Sequence, residues 1–340
     1  MGKKILVSGA SGFIAGHCII ELLSHGYDVR GTVRDPGRTD ALRATLSRYS
    51  DRADQVEFVE ANLLVPASWE AAAEGCDGIF HVASPVPVVQ PKVADEVIMP
   101  ARNGTVNVLN AARNQGISRV VLTSSTAAVM SNNRTSGEYT PDDWTDLSQP
   151  GLSPYIQSKT IAERAAWDFV AEKGDLELVT VNPGMVLGPA LEADYGSSLE
   201  LLVILMRGTY PLLPRIGFEC VDVRDVAQLH RLAFETPAAK GNRYLCGNGF
   251  RWMSDIARTI KTNYPGFNRI PSREMPNFLV KIAALFIKEV GQFVKDVDKV
   301  KRLDHSKALG IGWTPRSVEE AVVDGARSLL ELGIVRPKRT

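Results

Sequence analysis

The chain has 340 residues, in which 39 lysines and arginines balance 39 aspartates and glutamates, with 44% hydrophobic and 23% charged residues. This length allows two domains or one large α/β unit with an appended lobe, and the balanced charge lacks the basic excess of a nucleic-acid binder. No apolar run approaches the ~20 residues of a membrane span, and four scattered cysteines argue against a zinc site or a disulfide framework, so we expect a cytoplasmic protein without membrane contact.

The first half of the sequence alternates short β-branched runs with helical patterns, which is typical of βαβ units and a parallel sheet. Six strands are predicted, at Lys4–Ser8, Asp28–Val33, Val56–Glu60, Gly78–Val82, Arg119–Ser124 and Glu177–Asn182. Five helices are predicted between them, at Phe13–His25, Arg38–Arg48, Ser68–Glu74, Ala94–Asn114 and Pro154–Lys173. This order predicts an α/β protein with a Rossmann-type, doubly wound parallel sheet.

The pattern changes after Asn182, where prolines and glycines become frequent. That composition predicts a smaller, mostly helical substrate lobe over the carboxyl edge of the sheet. The segment Cys220–Asp225, followed by a helix to Phe234, is predicted to return to the sheet. We therefore expect residues 1–185, with 219–240, to form the dinucleotide-binding domain, and residues 186–218 and 241–340 to form the substrate-binding lobe.

The first strand runs directly into a glycine-rich turn, Gly9 to Gly16, that opens a helix. Glycines let the backbone approach a pyrophosphate, whose charge is met by the helix N-terminus. The second strand ends in Val33-Arg34-Asp35. An NAD site favours a carboxylate at this point, whereas an arginine accommodates the 2′-phosphate of NADP, so Arg34 predicts NADP(H). The alternative is a surface arginine paired with Asp35.

A third pattern joins Tyr155 and Lys159 with Ser125 at the end of the fifth strand. Residues four apart share a helix face, so the phenol and the ammonium can serve one point. A phenol pKa of about 10 needs about 4 kcal/mol to fall by three units, and a cation about 4 Å away supplies about that much. We therefore expect Lys159 to lower the pKa of Tyr155, and Ser125 to bind the substrate oxygen.

These motifs resemble the extended short-chain dehydrogenases/reductases, in particular the dihydroflavonol-4-reductase-like group, which includes cinnamoyl-CoA reductases and microbial NADPH-dependent aldehyde or ketone reductases. The resemblance covers nearly the whole chain. Its marks are Gly9–Ile14, Val33–Pro36, His81–Pro85, Thr123–Ser125, the Tyr155/Lys159 pair, Asn182-Pro183 with Gly188-Pro189, and Val221–Val226. Together these motifs are highly specific to the group, and they are much less specific to a substrate.

The resemblance implies that Ser125, Tyr155 and Lys159 form the catalytic triad, with Lys159 also on the nicotinamide ribose. It places the rest of the NADP(H) site at Gly9, Ser11, Gly12, Phe13, Ile14, Arg34, Asn62, Leu63, Val82, Ala83, Ser84, Pro183, Gly184, Val186 and Ser198. Two departures stand out. Asn62 replaces the usual aspartate near adenine, and the position of a second 2′-phosphate cation falls near Ala41, so Arg38 or Arg43 substitutes or the contact is absent.

Substrate preference is predicted from further departures. Met130 and Glu219 stand where flavonoid reductases carry an asparagine and a glutamine, and the cinnamoyl-CoA reductase signature before the catalytic tyrosine is missing. The expected pocket is mostly apolar and comprises Pro85, Val86, Val88, Met130, Leu187, Tyr195 and Phe218. Apolar walls favour hydrophobic carbonyl compounds. We predict a carbonyl reductase for hydrophobic aldehydes, ketones or keto esters.

Other functions stay open at this point. Flavonoid or cinnamoyl-CoA reduction shares the motifs, and a nucleotide-sugar epimerase or dehydratase shares the scaffold, although Arg34 disfavours the NAD that such enzymes usually carry. A non-catalytic NADP-binding regulator would keep the fold and lose the triad. The expected partner is a small-molecule carbonyl substrate, with no nucleic acid and no metal, and the protein is expected to be a monomer or a homodimer.

Overall fold

The computed structural model describes residues 2–85, 93–132, 134, 136–286 and 294–337. Over these residues the strands are β1 (Lys4–Val7), β2 (Asp28–Val33), β3 (Glu57–Glu60), β4 (Gly78–His81), β5 (Arg119–Thr123), β6 (Gly137–Tyr139), β7 (Glu177–Pro183), β8 (Met185–Leu187), β9 (Gly217–Asp222), β10 (Arg243–Cys246), β11 (Phe250–Trp252) and β12 (Lys301–Leu303). Seven of them form one parallel sheet in the order β10-β7-β5-β4-β1-β2-β3. The Rossmann-type sheet predicted from the sequence is therefore confirmed.

Helices cover both faces of this sheet. The described helices are α1 (Phe13–Ser24), α2 (Thr39–Leu46), α3 (Pro66–Ala73), α4 (Asp95–Asn114), α5 (Pro154–Lys173), α6 (Glu200–Arg207), α7 (Val223–Glu235), α8 (Met253–Asn263), α9 (Asn277–Phe286), α10 (Ser306–Gly310) and α11 (Val318–Glu331). The six strands and five helices predicted in the first half are all present, with ends that differ by a few residues. No helix in the described ranges is both long and apolar enough to cross a membrane.

Alternate residues of each strand supply two separate cores. Ile5 and Val7 of β1 pack with residues of α1 and α7 on one face, whereas Leu6 packs with residues of α3 and α4 on the other. β5 follows the same rule, with Val121 on the first face and Val120 on the second. Burial on both faces explains why these strands are continuous apolar runs in the sequence.

One predicted strand belongs to a different sheet. We expected Cys220–Asp225 to return to the main sheet, but β9 pairs with β8 and β11 in a three-stranded sheet of its own. The following helix, α7, does pack on the main sheet. The outermost strand beside β7 is instead β10, which lies in the range 241–340 that we expected to belong to the substrate lobe.

The remaining elements build the smaller lobe. Its core is formed by apolar residues of α6, α8 and α11, such as Leu202, Ile256 and Leu329, all essentially inaccessible to solvent. β12 pairs with β6, so a strand near the end of the chain contacts the segment between β5 and α5. The four cysteines, Cys18, Cys76, Cys220 and Cys246, are buried and carry free thiols.

Candidate active site

The glycine-rich turn lies where β1, β2 and β4 end. Gly9 has a φ of +70°, and a Cβ at this position would lie 3.1 Å from the Cβ of Ala83. Its N–H donates to the Thr32 hydroxyl at 2.9 Å. Gly12 then caps α1 without a side chain. Glycine is thus required by both backbone conformation and space, and the exposed N–H groups at the start of α1 can meet an anion.

Ser8, just before the turn, fixes the end of the neighbouring strand β4. Its hydroxyl accepts hydrogen bonds from the N–H groups of Val82 and Ala83, both at 2.8 Å, and lies 2.9 Å from Nδ1 of His81. Burial lowers the pKa of His81 to about 3, with Lys159 as a smaller cause. His81 is therefore a neutral hydrogen-bonding partner that helps to fix the end of β4. Ser84 is half-buried, and the contact of Val82, Ala83 and Ser84 with a cofactor stays a prediction.

Three arginines, Arg34, Arg38 and Arg43, are candidates for the expected contact with the 2′-phosphate. Arg34 is exposed at the end of β2 and makes no ion pair with the described residues, so the alternative pairing with Asp35 is not formed. Arg38 pairs with Glu192 at 2.9 Å and Asp194 at 3.3 Å. Arg43 donates to the carbonyls of Ala53 and Asp54. Among these three, Arg34 is the arginine without a partner in the described residues, and its role at the 2′-phosphate stays a prediction.

Glu192 and Asp194 line a groove beside the glycine-rich turn. The groove is lined by the turn residues Ser11, Gly12 and Phe13 and, opposite them, by Leu42, Leu191 and Glu192. A Cβ on Gly16 would lie 2.8 Å from the Leu191 side chain, so the helix and this segment approach closely. Ile14, the next residue of α1, packs against the core of the main sheet.

The residues expected near adenine are held by local contacts. The Asn62 side-chain oxygen accepts from the N–H of Leu64 at 3.0 Å. The Leu63 side chain fills the space that a Cβ on Gly104 would occupy, at 2.6 Å. Asn62 is exposed and Leu63 half-buried. Their roles as adenine contacts stay predictions.

The helix that carries Tyr155 and Lys159 starts where the sequence predicts. The Ser153 hydroxyl accepts from the Ile156 N–H at 3.3 Å, and Pro154 occupies the first helical position. These features fix the start of α5, so Tyr155 lies in its first turn and Lys159 one turn later on the same face. Ser125 lies two residues after the end of β5, near enough to the Tyr155 phenol to influence its pKa. The structure therefore brings the three predicted residues to one place.

The protonation states differ from our expectation. Burial raises the pKa of Tyr155 above its ordinary value, and the hydrogen bond from Ser125 lowers it by less. Burial also lowers the pKa of Lys159 to about 8, against the attraction of Glu163. The predicted lowering of the Tyr155 pKa by Lys159 is wrong, because the lysine Nζ faces the Thr123 carbonyl, at 3.5 Å, and is itself desolvated.

Beneath the triad lies a buried polar network that the sequence did not indicate. Glu163 accepts hydrogen bonds from Ser124, which follows β5, and from Asn182 on β7, the latter at 2.7 Å. It also pairs with Arg243 of β10 at 2.6 Å. Asn182 in turn donates to the Ser125 carbonyl at 3.3 Å. The only available signal was a glutamate among small residues on a helix, which also suits a surface position.

The residues expected at the nicotinamide end lie after β7. Pro183 ends this strand, and Val186 of β8 is almost fully buried. A Cβ on Gly184 would lie 2.2 Å from the Glu219 carbonyl oxygen, so β9 approaches the backbone here. Ser198 is half-buried in the 3-10 turn before α6. Contact of these residues with a cofactor stays a prediction.

The predicted substrate residues fall into two groups. Tyr195 and Phe218 pack, with Phe13, against the lobe core, and the Tyr195 hydroxyl donates to Glu200 at 2.6 Å. Met130 packs instead beside Tyr139 and Leu303. Pro85 is half-buried, whereas Val86 and Val88 lie outside the described residues. The placement of Leu187 at the pocket wall is wrong, because this residue is fully buried in the lobe core.

Glu219 is committed to the backbone. Its carboxylate accepts from the N–H of Gly249 at 2.9 Å and from the N–H of Leu303 at 3.2 Å. Burial raises the pKa of this carboxyl, and the two backbone hydrogen bonds lower it by less. The side chain thereby joins β9 to β12 and has little capacity left for a ligand hydroxyl.

Comparison with known proteins agrees with this geometry. Residues 5–247 match the NAD dependent epimerase/dehydratase family. The chain is 34% identical to a tetraketide alpha-pyrone reductase from Arabidopsis thaliana over 97% of this chain and 96% of that protein. It is 37% identical to a cinnamoyl-CoA reductase from Medicago truncatula over 78% and 82%. The NADPH complex of Gre2 from Candida albicans superposes with a TM-score of 0.80 at 26% identity, covering 97% and 99%.

Proposed function

The chain belongs to the NAD dependent epimerase/dehydratase family, within the extended short-chain dehydrogenases/reductases, and from this membership we propose an NADPH-dependent carbonyl reductase for hydrophobic aldehydes, ketones or keto esters. Similarity to reductases over nearly the whole chain makes it an NADP-dependent oxidoreductase. The substrate class and the residue roles are the proposal. The observation that carries it is the convergence of Ser125 and Tyr155, with Lys159 one helical turn further along α5.

Tyr155 is proposed to be the proton donor. Its raised pKa keeps the phenol protonated at neutral pH, and a protonated phenol is the form that reduction of a carbonyl requires. A carbonyl oxygen that approaches the Ser125 and Tyr155 hydroxyls can accept a hydrogen bond from each. As negative charge develops on that oxygen, Ser125 stabilises it and Tyr155 transfers its proton to it, giving an alcohol. Bound NADPH supplies the hydride.

Lys159 is proposed to supply positive charge behind the phenol. Loss of the phenolic proton leaves a phenolate, which a nearby ammonium stabilises. With a pKa of about 8, Lys159 is mostly protonated at neutral pH. The Lys159 ammonium lies 3.5 Å from the Thr123 carbonyl, and Lys159 shares its helix face with Tyr155. The pair therefore has the acid and the cation in the states that reduction needs.

The selectivity for NADPH over NADH is assigned to Arg34. Among the described residues Arg34 has neither an ion pair nor a side-chain hydrogen bond, whereas Arg38 is held by two carboxylates. Arg43 is not assigned the role of second cation, since its Nη1 donates to two backbone carbonyls. Any assistance from Arg38 requires it to share its charge with Glu192 and Asp194.

The proposed preference for hydrophobic carbonyl compounds rests on two positions at which this chain differs from flavonoid reductases. Met130 offers a thioether where flavonoid reductases have an amide. Glu219 keeps a polar side chain, but its carboxylate is occupied by two backbone N–H groups. A buried substrate hydroxyl without a partner costs about 1–3 kcal/mol. Polyhydroxylated substrates should therefore react poorly.

The test is a side-by-side assay of NADPH oxidation with an aryl aldehyde, an aryl ketone, a keto ester, dihydroquercetin and cinnamoyl-CoA. We expect kcat/KM for the best aryl carbonyl to exceed that for dihydroquercetin by about tenfold or more, which corresponds to ~1.4 kcal/mol. The Tyr155→Phe protein, assayed in parallel, gives the rate of NADPH oxidation that does not depend on the Tyr155 hydroxyl. Faster turnover of dihydroquercetin or cinnamoyl-CoA would refute the substrate assignment.

A further inference from the structure

Glu163 is a charged side chain buried directly below the catalytic pair. It lies one helical turn after Lys159 on α5 and is only 1% exposed. Its two carboxylate oxygens accept from residues on β7 and β10 and from the residue that follows β5: Ser124, Thr180, Asn182 and Arg243. Trp167, one turn further along α5, also donates to it at 3.3 Å. One carboxylate thus joins the helix of the triad to three strand ends.

Arg243 completes this network from the edge of the sheet. Its Nε lies 2.6 Å from Glu163, and its Nη1 donates to the carbonyls of Pro141 at 2.6 Å and Asp143 at 2.7 Å. The guanidinium stacks on Trp144 with its carbon 3.8 Å from the ring centroid. The pair therefore also anchors the segment between β6 and α5, which leads into the catalytic helix.

We propose that Glu163 is a positioning residue of the active site, which fixes Ser125 and Lys159 relative to each other by joining α5 to the ends of β5, β7 and β10. The inference rests on the proposed roles of Ser125 and Lys159. The connection to Ser125 runs through Asn182, which donates both to Glu163 and to the Ser125 carbonyl. The connection to Lys159 is the single helical turn that separates it from Glu163.

A structural role alone does not explain a charge at this place. Replacing a buried ion pair with apolar residues of similar volume is often neutral or stabilising, so the pair needs a further reason. Glu163 supplies one because it attracts the buried Lys159 ammonium and raises its pKa against desolvation. The other groups around the two are Arg243 from β10 and neutral His81 from β4. Tyr155, one turn before Lys159 on α5, is a further titratable group here; among all of these Glu163 is the carboxylate, and its charge favours the protonated form of Lys159.

The experiment compares Glu163→Gln with Glu177→Gln. Glutamine keeps the size and much of the hydrogen bonding of Glu163 but removes its charge. Glu177 is the matched control, because it pairs with Arg119 and joins β5 to β7 at their opposite ends. The readouts are kcat against pH, NADPH affinity by fluorescence, and the titration of Lys159 in the cofactor-free protein by lysine side-chain NMR, with its signal assigned by Lys159→Arg.

For Glu163→Gln we expect the Lys159 titration and the alkaline limb of kcat to move about one unit to lower pH, as for loss of one neighbouring opposite charge. From a pKa of about 8, such a shift lowers kcat about twofold at pH 7 and about fivefold at pH 8. NADPH affinity should stay within about twofold, since the glycine turn is unaffected. Glu177→Gln should lower only the melting temperature.

A single variant that fails to fold does not end the test. An unpaired Arg243 is strongly destabilising, whereas Glu163→Gln/Arg243→Met removes both charges and should fold. Because the double variant also removes the positive charge of Arg243, its Lys159 titration should move in the same direction by less than in the single variant. An unshifted Lys159 titration in whichever variant folds overturns it. A wild-type protein that does not oxidise NADPH with any carbonyl would refute the proposed function instead, and the NMR titration would still decide the role of Glu163.

Discussion

Three buried histidines make the stability of this protein sensitive to mild acid. Burial lowers the pKa of His17 to about 4, of His81 to about 3 and of His230 to about 4. Unfolded, each has a pKa of about 6.5. Between pH 7 and pH 5 the unfolded chain therefore binds protons at all three rings and the native protein does not. The stabilisation is complete above about pH 6.5 and is lost as the pH falls toward the native values.

The size of the effect follows from these values. When the pH falls from 7 to 5, each histidine lowers the free energy of unfolding by about 2 kcal/mol, and the three together lower it by about 5–6 kcal/mol. Burial raises the pKa of Asp225 to about 6, so its protonation in the native state offsets about 1 kcal/mol of this loss. We expect a net loss of about 4–5 kcal/mol, measured by urea unfolding at the two pH values with tryptophan fluorescence.

His230→Gln is the matched variant for this prediction. The His230 ring lies 2.7 Å from the Thr123 hydroxyl and 2.8 Å from the Val226 carbonyl, so the variant is less stable at both pH values. Its loss between pH 7 and pH 5 should nevertheless shrink by about 2 kcal/mol, because one titrating ring is gone. A wild-type loss below about 1 kcal/mol, or an undiminished loss in the variant, would refute the reasoning.

Two other predictions concern the cofactor and the packing of the backbone. Arg34→Ala should weaken NADPH binding by about 10 to 150-fold and leave NADH binding nearly unchanged, measured by fluorescence titration with Arg43→Ala as the control. Equal affinity of the native protein for the two cofactors would contradict it. Gly184→Ala should lower the unfolding free energy by about 1–3 kcal/mol, because its methyl group would lie 2.2 Å from the Glu219 carbonyl oxygen. Gly310→Ala, where a Cβ meets nothing within 4 Å, should be close to neutral.

Much of the fold was predictable because its strands are buried on both faces. The central strands, such as β1, β4 and β5, are apolar runs between turn residues, and α5 has its own start signal in Ser153-Pro154. β10 was missed because Arg243 opens a strand of only four residues. The arginine suits a buried strand only because Glu163 neutralises it. β9 was assigned to the wrong sheet because an apolar run does not specify its partner strand.

The predicted triad is brought together, but its electrostatics were not predictable. Spacing alone places Tyr155 and Lys159 on one helix face, and the end of β5 supplies Ser125. The expected lowering of the pKa of Tyr155 assumed a free ammonium about 4 Å away. In the structure Lys159 faces a carbonyl and is itself desolvated, and a neighbouring glutamate offsets its charge. Glu163 gains its partners from strands that are distant in sequence, so no local pattern indicates it.

The most direct test of the central claim is the Tyr155→Phe variant, measured for turnover and for cofactor binding. Loss of the phenolic proton should lower kcat with an aryl aldehyde by about 10² to 10⁴-fold, the usual contribution of a positioned acid. NADPH affinity should stay within about twofold of the native value, because the turn and Arg34 are unchanged. A variant that retains more than about a tenth of the native kcat would contradict the assignment of Tyr155 as the proton donor.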